Sequence, residues 1–210
     1  MATRHRLAGA ADLHSHERFL DAALAVLMDQ GAAGLTVRAV AEAAGSSTIT
    51  VYTRFGGRNG LLDSLYERLF DLLREAFDGL PPLTDDPMAD LLDLAAVYRA
   101  FALESAARYA FMLERTIPEF DPDPAVRGNV IRDSFGVLLQ RVERVCPPDR
   151  DVVQSAYLLW TTLHGLISVE LTLRTRSRVP GWFLLPTEEA NEPMYYAGVR
   201  AMITGLGLHA

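Results

Sequence analysis

The stretch Leu35-Thr-Val-Arg-Ala-Val-Ala-Glu-Ala-Ala-Gly-Ser-Ser-Thr-Ile-Thr-Val-Tyr-Thr-Arg-Phe-Gly-Gly-Arg-Asn-Gly-Leu-Leu62 decides how this chain folds. Thr36 can cap a short helix in which Val37, Val40, Ala41 and Ala44 share one face. Gly45 suits the left-handed position that stops a helix. Ser46 or Ser47 can cap a third helix running to about Arg54, and Gly56-Gly57 breaks the chain again. Upstream, Leu20, Ala23, Leu24 and Leu27 follow the spacing of an amphipathic helix that ends near Gly31. Downstream, Leu62, Leu65, Leu69, Leu72 and Ala76 form one stripe of a longer fourth helix. Two short helices joined by a tight turn, after a longer first one, make a helix-turn-helix.

The second short helix carries the chemistry. Val51 and Phe55 are its inward anchors, and its remaining face offers hydroxyls and one guanidinium. Hydroxyls can donate to phosphates or base edges, and arginine can hold guanine through two bonds. Tyrosine can lay its ring on a sugar or a thymine methyl while its hydroxyl reaches phosphate. The helix starts at Thr36 and Arg58 present backbone N–H groups that suit phosphate. Charge is divided accordingly. The whole chain has a formal charge of −7, but residues 1–58 hold six arginines against five acids. The first quarter is thus the part that can approach a polyanion.

At these residues the chain resembles the DNA-binding domain of TetR-family transcriptional regulators. The pattern holds without a gap from Phe19 to Leu65. Further on, Leu159-Trp-Thr-Thr-Leu-His-Gly-Leu-Ile-Ser-Val-Glu-Leu171 is similar to the Trp-x-x-x-His-Gly segment of one subgroup's ligand domain, and Ser105 to Phe120 resembles the helix preceding it. The resemblance implies that Thr36 and Arg38 contact phosphate from the second helix. It implies that Ser47, Thr48, Thr50, Tyr52 and Arg54 face DNA from the third, and that Arg58 clamps phosphate from the fourth. Arg4 and Arg6 would add a mobile arm. Ser46 stands where the family usually has valine, and Arg58 where it usually has lysine.

Beyond the head, Gly79-Leu-Pro-Pro-Leu-Thr-Asp-Asp-Pro87 is the expected joint, because its three prolines cannot continue a helix. Helices are predicted at roughly 88–105, 106–116, 124–146, 150–174 and 189–206. The domains expected are a flexible arm over 1–18, the helix-turn-helix over 19–65 running into a connecting helix to about 79, and an effector-binding and dimerisation domain over 80–210. Val179-Pro-Gly-Trp-Phe-Leu-Leu-Pro186 is too apolar to hang in water and is expected to fold back or pack on a partner.

Residues 152–169 have no charged residue, close to the ~20 apolar positions that a spanning helix needs. Gln154, Thr161, Thr162, His164 and Ser168 would each be costly in lipid. A helix buried on more than one side fits better than a membrane span. Tyr98, Phe101, Phe111, Phe135, Tyr157, Trp160 and His164 are candidates to line a pocket for an apolar effector, against the simpler reading of core packing. No His-x-x-x-His or Asp-His spacing surrounds His164, His14 and His16 lie in a polar tail, and Cys146 is the single cysteine. Neither a metal, a cofactor nor a disulfide framework is expected. The polar start is no secretory signal, which makes the cytoplasm the expected location.

The expectation is an all-α protein: a three-helix head joined to a helical-bundle body. It would bind a double-stranded DNA operator as a homodimer through its last two helices, respond to a small-molecule effector, and act as a repressor. The alternatives are a helical small-molecule-binding protein and an all-α enzyme centred on His164.

Overall fold

A computed structural model describes residues 2–176, 185 and 187–208. Among these residues the secondary structure is helical throughout, with no strand. The helices are α1 (Ala2–Gln30), α2 (Val37–Ala43), α3 (Thr48–Phe55), α4 (Arg58–Asp78), α5 (Pro87–Glu104), α6 (Ala106–Leu113), α7 (Pro124–Glu143), α8 (Val152–Thr175) and α9 (Glu188–Gly205). One 3-10 turn, Ala32–Gly34, separates α1 from α2. Helix α1 thus includes the segment expected as an arm. The apolar run 179–186 lies almost wholly outside the described residues.

Local chemistry sets the boundaries. Gly31 leaves α1 at φ 69°, a backbone state that glycine adopts without strain. Pro87 occupies the first turn of α5, where a missing N–H costs nothing. The Asp86 carboxylate accepts from the N–H groups of Met88 and Ala89 at 3.1 and 3.0 Å, completing that helix start. Asp151 caps α8 by accepting from Gln154 at 3.0 Å.

The chain divides into two compact units. The first comprises Met1–Leu72 and Ser105–Ile131. Its core holds Phe19, Ala23, Leu27, Leu35, Val40, Val51, Leu61, Leu62, Leu65 and Leu69, all essentially without exposure. Helix α6 belongs here and packs on α1. Tyr109, Phe111 and Met112 of α6 are buried, and Phe111 stacks on Phe120 at 5.8 Å. The sequence places α6 in the second domain. By its contacts it groups with α1 in the first compact unit.

The second unit comprises Leu73–Glu104 and Arg132–Ala210. Leu91, Leu94, Ala95 and Ala102 of α5, Leu159, Leu163 and Ile167 of α8, and Tyr195, Val199 and Ile203 of α9 are buried. A Cβ on Gly198 would lie 2.9 Å from the Leu166 methyls, so glycine lets α8 and α9 approach closely. A buried charge network ties three helices. Arg99 donates to both oxygens of Glu170 at 2.8 and 2.9 Å and to Glu188 at 2.9 Å. Arg174 joins the same two acids, and the Tyr195 hydroxyl donates to the Ala95 carbonyl at 2.8 Å. Helix α8 is long and apolar enough to cross a membrane by length and composition. Its buried side, ending in the ion-paired Glu170, nevertheless packs on α5 and α9.

Candidate nucleic-acid interface

Three helix ends build the outer side of the head. Thr36, extended at φ −108°, accepts from the Ala39 N–H at 3.1 Å and starts α2. The helix closes with Gly45 at φ 58°, where Ser46 N–H reaches the Ala41 carbonyl and Gly45 N–H reaches Glu42. This paired closure reverses the chain within three residues. Ser47 then caps α3, accepting from the Thr50 N–H at 3.3 Å while its hydroxyl lies 3.0 Å from the Thr50 hydroxyl. Of the two serines that the sequence leaves open as caps, Ser47 is the one used.

Helix α3 is held from one side. Val51 and Phe55 are buried, and the Phe55 ring meets Phe19 edge-on at 5.8 Å and His16 at 4.8 Å. Gly56 ends the helix at φ 72°. Here α3 presses against α4 so closely that a Cβ on Gly60 would lie 1.9 Å from the Phe55 carbonyl oxygen. The opposite side is open. Ser47, Thr48, Tyr52 and Thr53 are exposed, while Thr50 and Arg54 are half-buried. Tyr52 is 59% exposed, its ring close to Gly57.

The flanking cations fit around this side. Arg58 opens α4, and its Nε donates to the Leu35 carbonyl at 3.0 Å, joining the start of α4 to the residue before the Thr36 cap. Arg38 is exposed on α2 and forms no ion pair with Glu42 among the described residues. No acid occurs between Glu42 and Asp63. On α4, beyond that interval, burial and the neighbouring Asp71 and Asp63 carboxylates push the Glu67 carboxyl above its ordinary value.

All eight residues expected to face DNA therefore lie in α2 and α3 with their caps and at the start of α4. The expectation passed over Ile49 and Thr53. Ile49 is 75% exposed and sits beside Thr48 at the start of α3. The signal for it was its register: Ile49 falls three residues before Tyr52 and on the other side of the helix from Phe55.

The candidate effector residues fall in both units. Tyr98 and Phe101 are buried on α5, Phe111 is buried on α6, and Phe135 is half-buried on α7. On α8, Tyr157, Trp160 and His164 form a ladder with ring centres 5.7 and 6.0 Å apart. Tyr157 is 54% exposed. Among the described residues there is no group of three or more His, Cys, Asp or Glu side chains that could hold a metal ion.

Residues 19–65 match the family model described as bacterial regulatory proteins of the tetR family. Residues 91–180 match the model of the tetracyclin repressor-like C-terminal domain. The chain is 26% identical over 179 residues to the HTH-type transcriptional regulator Rv1816 of Mycobacterium tuberculosis, across 69% of this chain and 75% of that one. Among solved structures, the transcriptional regulator SCO7222, a TetR from Streptomyces coelicolor, superposes with a TM-score of 0.64 at 20% identity, covering 91% of this chain and 96% of the other. The fatty acid degradation regulator FadR from Bacillus halodurans superposes with a TM-score of 0.64 at 15% identity, covering 93% and 97%.

Proposed function

Because the chain belongs to the TetR family of DNA-binding transcriptional regulators, we propose that it is a ligand-responsive repressor that binds a pseudo-palindromic operator as a homodimer. The observation that carries this reading is the open side of α3. Ser47, Thr48, Tyr52 and Thr53 are exposed there, with Arg38 on α2, Arg58 at the start of α4 and no acid from residue 43 to 62. Such a rod fits a major groove, with its N-terminal residues at base edges and the two flanking helix starts at phosphates.

The dimer reading rests on α8 and α9. Val153, Tyr157, Leu158 and Val169 of α8 and Met194 of α9 are exposed, and a second copy supplies the cover that such apolar faces require. Two copies would form a four-helix seam and present one α3 each to successive grooves. The effector would sit in the second unit, with Tyr98, Phe101, Phe135, Tyr157, Trp160 and His164 as candidate lining. It would lower operator affinity only by its differential affinity for the two separations of the heads.

Selection from a random duplex library with the purified protein, repeated with candidate effectors, tests this. Enrichment of a two-fold-related site is the expected result. A library that stays unenriched would sink the operator reading.

A further inference from the structure

The side of α3 that faces solvent is poorer in free hydrogen-bonding groups than its composition suggests. The Ser47 hydroxyl accepts the Thr50 N–H and lies 3.0 Å from the Thr50 hydroxyl. The Thr53 hydroxyl donates to the Ile49 carbonyl at 2.9 Å. Three of the hydroxyls on this helix and its cap are thus engaged within the helix itself. What stands furthest out is a hydrocarbon: Ile49, at 75%, is the most exposed large apolar side chain among the described residues. It has no polar atom in its side chain, and its branched Cβ gives it few rotamers. It is the second residue of α3, in the first turn, which is where a recognition helix meets base edges. Tyr52 lies one turn further along the same side, 59% exposed.

Nothing in this neighbourhood favours an apolar protein partner. The segment from 43 to 62 is free of acids and carries Arg54 and Arg58. A lone aliphatic group on an acid-free stretch that carries two arginines is complementary to a site that is anionic around its edges and apolar at one point. In the major groove of duplex DNA that point is the 5-methyl group of thymine, the one apolar substituent that a base pair presents there.

We propose that Ile49 reads sequence by packing against a thymine 5-methyl group, so that the operator preference of this chain rests on methyl contacts more than on hydrogen bonds from α3. The proposal rests on the operator reading above and assigns one residue within it. It predicts a thymine at a fixed position in each half-site, at the step met by the first turn of α3.

The test uses the full chain and the duplex enriched from a random library. Each thymine is replaced in turn by deoxyuridine, which removes the methyl group and leaves the hydrogen-bonding edge unchanged. Affinities are measured at one salt concentration for the native chain and for Ile49→Ala. At the thymine that Ile49 meets, deoxyuridine should weaken the native chain about fourfold, the worth of one buried methyl-sized group. Ile49→Ala should bind the thymine duplex more weakly and be indifferent to deoxyuridine at that position alone, while remaining sensitive elsewhere. Thermal unfolding of Ile49→Ala should match the native chain, because the side chain is exposed. If a site is enriched and the two proteins respond alike to deoxyuridine at every position, the role of Ile49 is overturned and the operator reading stands. If no site is enriched, the operator reading fails and this inference fails with it.

Discussion

Arg58 donates from Nε to the carbonyl oxygen of Leu35 at 3.0 Å, so that one side chain fixes the start of α4 against the start of α2. The bond uses one corner of a planar fork and leaves the terminal nitrogens for a phosphate. Arg58→Ala should therefore weaken binding to selected and random duplexes by similar factors and lower the salt slope of log K by about one. Arg58→Lys should keep the slope, since the charge remains, but bind less tightly, since lysine has no second arm for Leu35. Titrations across salt concentrations distinguish the two. A full native slope in Arg58→Ala would remove Arg58 from the phosphate contacts.

Two glycines should respond in opposite directions. A Cβ on Gly60 would lie 1.9 Å from the Phe55 carbonyl oxygen, a backbone atom that cannot swing away. Gly60→Ala should destabilise the head by at least ~1–3 kcal/mol, the usual cost of forced overpacking, and lower operator affinity through α3. A Cβ on Gly128, within α7, meets nothing within 4 Å. Gly128→Ala should raise stability by about 0.5–1 kcal/mol by restricting the unfolded chain. Thermal unfolding followed by circular dichroism reads both. An unchanged melting point in Gly60→Ala would show that α3 and α4 can part at no cost.

Much of this fold was legible because its signals are local. Thr36, Gly45 and Gly56 each mark a helix end through their own side chain or its absence, and they stand where the sequence places those ends. Helices α5 and α9 begin within a residue of expectation because Pro87 and the acids Glu188 and Glu189 favour first turns. What escaped depends on distance along the chain. Arg99 and Glu170 are separated by 71 residues, and neither position announces its partner. Helix α6 follows the proline-rich joint and looks like part of the body, but its apolar side packs on α1. At the interface, polar residues were assigned to DNA by their chemistry, and Ile49 was passed over for the same reason. Only the helical register places it outward.

Tyr157, the exposed end of the ladder on α8, should control assembly. Tyr157 is 54% exposed and its ring centre lies 5.7 Å from that of Trp160. A carboxylate there would be buried unpaired in a two-fold seam, opposite its own symmetry mate. Tyr157→Glu should shift the protein toward monomer in analytical ultracentrifugation and leave the helical content intact. Operator affinity should fall with it, because two linked heads bind more tightly than one. A Tyr157→Glu protein that sediments like the native chain would place the dimer seam elsewhere.

Buried arginines of the second unit should also differ. Arg99 holds both oxygens of Glu170, and the two side chains are 6% and 4% exposed. Arg99→Met leaves the buried Glu170 with only the longer, single contact from Arg174 at 3.2 Å, so it should cost about 2–4 kcal/mol, somewhat less than fully breaking a buried pair. Arg141 is equally buried, yet among the described residues its Nε has no hydrogen-bond partner, and a terminal nitrogen donates to the Val137 carbonyl at a long 3.3 Å. Burial pulls its pKa below the ordinary value. Arg141→Met should leave stability unchanged or raise it, because an unsatisfied buried donor is itself a cost. Melting points of the two variants under identical buffer decide the matter, and an equal loss in both would refute the distinction.

Acid should weaken the second unit through two carboxylates. Burial raises the pKa of Asp90, but bonds from the Thr84 hydroxyl and N–H and from Arg144 outweigh it, and the net shift is downward from 3.8. Glu188 behaves likewise: burial opposes ionisation, bonds from Arg99 and Arg174 prevail, and the value falls below 4.5. A carboxylate depressed in the folded state binds fewer protons there than in the unfolded chain, so its contribution is complete above the unfolded pKa. That contribution disappears as pH falls through the lower native value. The melting temperature should hold steady from about pH 7 to about pH 5 with respect to these groups and decline below it. Asp90→Asn should start from a lower melting temperature and show a shallower acid decline, since its amide has no proton to gain. A decline as steep as that of the native chain would assign the acid sensitivity to other carboxylates.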